Sequence, residues 1–114
     1  MEEQNLNQKL KELFGQHGKY NILNKSVDID LQMKYFEMSG KIPKKELSKE
    51  SVFSLHSKLF NNEVLNEEKR EILIKTASIE DPEAYRAIEK YLNNTKGEMH
   101  DWALLALQES KMLL

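Results

Sequence analysis

Val52-Phe53 with Lys58-Leu59-Phe60-Asn61-Asn62, and Ala84-Tyr85 with Lys90-Tyr91-Leu92-Asn93-Asn94, stand 32 residues apart and carry one pattern. An apolar pair is followed, at the same distance, by a lysine, two apolar residues and a double asparagine. The apolar spacing is helical and the asparagines read as a stop, so the same helix is used twice. After each copy comes a polar break and then a second amphipathic stretch, over 66–78 and 98–114. The repeating unit is therefore a helical hairpin, and a fixed period of this size is the mark of stacked repeat architectures.

Punctuation supports the two hairpins. Ser48 is positioned to cap the first helix, which carries Val52, Phe53, Leu55, Leu59 and Phe60, and Asn66 to cap the next, with Ile72, Leu73 and Ala77 on its face. Asp81-Pro82-Glu83 is the sharpest start signal: an acid at the N-cap, proline where its missing N–H costs nothing, and a second acid in the first turn. Thr95 and Glu98 have capping-box spacing before the last helix. Upstream, Leu6, Leu10, Leu13 and Phe14 make one helical face that ends at Gly15 and Gly18. Lys19 to Lys25 has no sustained period. A second helix is expected from a Ser26 cap through Leu31, Tyr35, Phe36 and Met38 to Gly40. Ile42-Pro43 should be extended, with Lys44-Lys45-Glu46 as a solvated connector. No strand-like alternation occurs. The expected fold is all-α: a single domain, 1–114, with irregular N-terminal helices over 1–47 and hairpins over 48–80 and 81–114.

The second hairpin resembles the short bacterial form of the HEAT repeat. Asp81-Pro82-Glu83-Ala84 opens the first helix, Ile88, Tyr91 and Leu92 close it, and Trp102-Ala103 with Ala106-Leu107 mark the second. The resemblance covers 81–107 well and the preceding hairpin more loosely. It implies an α-solenoid-like stack of HEAT/ARM type that binds proteins, with enzymatic activity in only a few members, and a non-catalytic module is the expectation here. By the same resemblance the second helix of each unit lines the inner surface. Glu67, Glu68, Glu71 and Lys75, with Asp101 and Gln108 of the next unit, then form the candidate partner surface.

Composition narrows the alternatives. In 114 residues there are 17 Lys and Arg against 19 Asp and Glu, a net charge of −2, so no overall field draws the chain to nucleic acid or anionic lipid. Cysteine is absent, which removes disulfides, thiolate metal sites and cysteine nucleophiles and fits a reducing cytoplasm. The acidic start Met1-Glu2-Glu3-Gln4-Asn5 lacks an apolar core segment and no run reaches spanning length, so neither export nor anchoring is expected. His17, His56 and His100 are scattered without a zinc spacing, and the four glycines form no phosphate loop, so no catalytic, cofactor or metal residue is expected. Glu67, Glu68 and Glu71 beside Lys69, Arg70 and Lys75 read as a solvated face with a Glu71–Lys75 pair. Lys41, Lys44, Lys45 and Lys49 make the one basic cluster. It supports the runner-up reading, a nucleic-acid binder. A third reading is a helical part of a larger protein whose activity lies elsewhere.

The last helix is apolar on more than one side. Met99, Trp102, Ala103 and Ala106 can face the preceding helix, while Leu104, Leu107, Lys111 and Leu114 make a second stripe in which only Lys111 is polar. A helix with two apolar stripes is covered on both. Fold-back of the N-terminal helices, a second copy of the chain, or further residues of a longer protein can supply the cover, and the last two are favoured by the leucines at the end. Trp102 is expected in the core against Tyr85 or Ile88, and Phe53 and Tyr85 at equivalent buried sites.

Overall fold

A computed structural model of the chain describes residues 26–114; the helix expected over Glu2 to Phe14 and the segment Lys19 to Lys25 lie outside the described residues. All regular structure among the described residues is helical. It comprises α1 (Ile29–Lys41), a 3-10 turn (Lys44–Glu46), α2 (Lys49–Phe53), α3 (His56–Leu59), α4 (Asn66–Ala77), α5 (Pro82–Leu92) and α6 (Glu98–Leu113).

The second hairpin follows its punctuation closely. Asp81 Oδ1 accepts the Glu83 amide at 2.7 Å and Pro82 occupies the first turn of α5. Ala84, Ile88 and Tyr91, one residue per turn, are its buried stripe. The double asparagines end both copies by satisfying backbone groups, although with different atoms. Asn61 Oδ1 accepts the Glu63 amide at 2.9 Å, and Asn94 Nδ2 donates to the Lys90 carbonyl at 2.7 Å.

Several starts differ from the sequence reading. The α1 N-cap is Asp28 rather than Ser26, and the entry is secured by buried Gln32, whose Nε2 donates to the Val27 carbonyl at 3.0 Å. Leu65, not Asn66, is the N-cap of α4, and it makes no side-chain cap. At α6 the Thr95–Glu98 box is replaced by Gly97, which takes φ 73° and ψ −144°, a conformation open to glycine alone.

The helix expected through 48–60 is broken in two. Ser48 does cap it, accepting the Ser51 amide at 3.2 Å. Ser51 Oγ then donates to the Ser48 carbonyl at 3.0 Å and Ser54 Oγ to the Ser51 carbonyl at 2.6 Å. Serines three apart thus offer the backbone carbonyls a rival donor, and the ladder tightens to the Leu55 N–H on the Val52 carbonyl at 3.0 Å.

The core is organised around α6, which packs against α1, α4 and α5. Trp102, Leu105, Ala103 and Ala106 are wholly buried there among Ile72, Leu73, Ile74, Ile88 and Tyr35. Trp102 shares the core cluster with Ile88, and its indole also lies 5.1 Å from the Tyr35 ring and under the Arg70 guanidinium at 4.7 Å. Its Nε1–H donates to the Arg70 carbonyl at 3.2 Å. Phe53 and Tyr85 are both only half-buried; Val52 and Ala84, the residues before them, are buried instead. Part of the cover for α6 comes from α1, a fold-back within the chain. Met112, Leu113 and Leu114 remain exposed.

Candidate functional site

Where α1 and α4 diverge, a groove opens between them. Lys34, Glu37, Met38 and Lys41 form its α1 wall, Glu67, Arg70 and Glu71 its α4 wall, and Ile42 and Trp102 close the bottom around a volume of about 370 Å³. A second depression of about 290 Å³ continues from it, sharing Met38, Glu67 and Glu71 and adding Glu68 and Leu65. Leu65 is 74% exposed at its mouth.

Arg70 ties this groove to the core. Its guanidinium caps the face of Trp102 while its carbonyl takes the indole N–H, and Nη2 reaches Glu98 Oε2 at 3.0 Å. The charges along the rim are unequally satisfied. Lys41 pairs with Glu37 at 3.6 Å and Glu68 with Lys58 at 3.0 Å. Among the described residues, Glu67 and Glu71 have no ion-pair partner, and the expected Glu71–Lys75 pair is not formed.

The six residues expected to form the partner surface, and Leu104 and Leu107 of the second apolar stripe expected to be covered by a partner, do not all share this face. Glu67, Glu68 and Glu71 line the groove, whereas Lys75 is half-buried outside it. Asp101 lies beside His100, Oδ1 to Nδ1 3.6 Å. Leu104 and Leu107 are partly buried against the core, and Gln108 Oε1 is enclosed with no hydrogen-bond partner among the described residues. The α1 wall was invisible to sequence reasoning because it depends on how α1 docks, and Lys34, Glu37 and Met38 give no local signal of it.

Two other polar clusters bear on chemistry. Tyr35 Oη donates to Glu109 Oε1 at 3.2 Å, joining α1 to α6. Burial raises the Glu109 carboxyl above its ordinary pKa, against the opposing pull of Lys44 and of the tyrosine hydrogen bond, and burial, with Glu109 beside it, raises Tyr35 well above its own. Between α3 and α4, Thr76 gives its one hydroxyl proton to the Ile72 carbonyl at 2.7 Å. Its 3.2 Å contact with His56 Nε2 therefore has the imidazole as donor, which selects the Nε2–H tautomer. Burial lowers the His56 pKa, so this ring is held neutral. Among the described residues no three His, Asp or Glu side chains converge as metal ligands, and no helix is long and apolar enough to cross a membrane. His17 lies outside the described residues.

The basic cluster is largely engaged. Lys49 Nζ sits 2.6 Å from Asp81 Oδ2, Lys44 Nζ donates to Ser39 Oγ at 2.7 Å, and Lys41 is held by Glu37. No family model, curated protein or solved structure matches the chain.

Proposed function

We propose that the chain is a non-catalytic interaction module built from two stacked HEAT-like hairpins, with α1 lying across their second helices. The observation that carries this reading is direct contact between positions 32 residues apart: Lys49 with Asp81 at the starts of the first helices, and Arg70 with Trp102 in the second helices. Equivalent residues touching side by side is what translation of one unit onto the next produces. Burial agrees with it, since Val52 and Ala84, Leu59 and Tyr91, and Leu73 and Leu105 are buried alike. The work of such a stack is to present a surface, and the open surface here is the α1–α4 groove. The nucleic-acid reading is weaker because Lys41 and Lys49 are ion-paired to Glu37 and Asp81, Lys44 donates to Ser39, and the groove carries carboxylates without an ion-pair partner among the described residues, which repel phosphate.

The test is affinity capture from the native cell at physiological salt, using the full chain as bait. A specific protein recovered in stoichiometric amount supports the module. Recovery of nucleic acid with a steep salt dependence, or of nothing specific, would overturn it.

A further inference from the structure

We infer that the α1–α4 groove takes a short partner segment that joins an apolar anchor to a lysine or arginine on the edge facing α4; this rests on the interaction-module reading. The apolar part is set by the floor and mouth. Met38 is partly buried against the core, Ile42 and Trp102 lie below it, and Leu65 stands 74% exposed beside it. An exposed leucine next to a methionine-lined depression is stabilised when an apolar side chain removes both from water.

The charge of the partner follows from the ions left over. Of the groove's basic groups, Lys41 is taken by Glu37 and Arg70 by Glu98. Among its acids, Glu68 is taken by Lys58. Among the described residues, the groove groups without an ion-pair partner are Glu67 and Glu71 on the α4 wall and Lys34 on the α1 wall. Glu67 and Glu71 are one helical turn apart and so stand on one face. Together they leave a net negative edge along α4, opposite a single lysine. A segment with its cation toward α4 is attracted, and one with an acid there is repelled, so the edge selects both the sequence and the direction of the segment.

Trp102 is the only tryptophan in the chain and lies at the groove bottom, which makes its emission a local reporter. The probe is a short synthetic peptide with leucines four residues apart, lysines along one edge and a nitroxide at its end, compared with the same peptide bearing glutamates. The expected result is saturable quenching of Trp102 by the lysine peptide. Binding should weaken about tenfold or more in Glu67→Lys plus Glu71→Lys, a variant whose melting temperature should stay near that of the parent because both side chains are exposed. The glutamate peptide should prefer the variant. Equal binding of both peptides, no binding of the lysine peptide, or affinity unchanged in the variant would overturn the assignment. So would light scattering showing a dimer that this variant dissociates, since the occupant would then be a second copy. In the capture experiment, a partner retained equally by the variant sinks the groove and leaves the module standing, whereas no partner with either bait sinks the module.

Discussion

Gly97 carries more of the second hairpin than its place in an exposed turn suggests. Nothing lies within 4 Å of the point where a Cβ would sit, so the position has room for a side chain. What excludes one is the backbone: φ 73° with ψ −144° falls where only glycine is relaxed. Gly97→Ala should therefore destabilise the chain by about 1–3 kcal/mol through conformation alone, read as a lower urea midpoint at unchanged slope. A midpoint equal to the parent's would mean that the turn can refold into an ordinary cap, such as the Thr95–Glu98 box the sequence suggests. Ser110 is the polar member of the α6 core face: it continues the Ala103 and Ala106 spacing, is fully buried, and among the described residues its Oγ has no hydrogen-bond partner.

Among the elements, legibility tracks how local the determining physics is. The start of α5 was readable because Asp81, Pro82 and Glu83 act within one turn, and the stop of each first helix because asparagine binds the nearby backbone. The 32-residue pattern likewise puts Val52 in register with Ala84 and Leu59 with Tyr91, but the pair expected to be buried, Phe53 and Tyr85, is only half-buried. Sequence spacing alone cannot distinguish two adjacent apolar residues when the arc facing the core is narrow. The break between α2 and α3 was missed although its signal is local: Ser48, Ser51, Ser54 and Ser57 recur every third residue, which suits hydroxyl-to-carbonyl bonding rather than a 3.6-residue period. Removing one rival donor tests this. Ser54→Ala frees the Ser51 carbonyl now held at 2.6 Å, and alanine also has the higher helix propensity, by about 0.5 kcal/mol. The variant should show continuous helical amide exchange and chemical shifts from 49 to 59. A persistent break at Ser54–Leu55 would assign it to tertiary packing of α3 on α4 instead. As for the groove, the i, i+4 spacing of Glu67 and Glu71 put them on one face, but the opposite wall is supplied by α1, and only its docking creates the site.

At the scale of the whole molecule, that docking rests on Tyr35, which is wholly buried against Trp102 and hydrogen-bonded to Glu109 of α6. The bond places a carboxylate where water is scarce, and its raised pKa records the cost. A carboxyl that binds its proton more readily in the folded than in the unfolded chain penalises folding when ionised. The penalty is fully present above the folded-state pKa and is relieved as pH falls toward the ordinary value of 4.5. Glu109→Gln keeps an Oε1 to accept from Tyr35 and removes the charge, so it should melt a few degrees above the parent at neutral pH. That advantage should shrink as pH falls through the Glu109 pKa toward 4.5. Two other groups titrate in the opposite sense. His56, lowered by burial, contributes stability above its ordinary 6.5 that is lost as pH falls toward its folded value. Asp81, lowered first by its bond to Lys49 and then by the Glu83 amide, contributes stability that is lost below 3.8. Both are common to parent and variant, so the difference between the two melting curves isolates Glu109. Thermal melts of the pair from pH 7.5 to 4.5 make the measurement. A difference that stays constant across that range would show that Glu109 ionisation does not load the α1–α6 contact, and one that grows toward acid would reverse the sign argued from its burial.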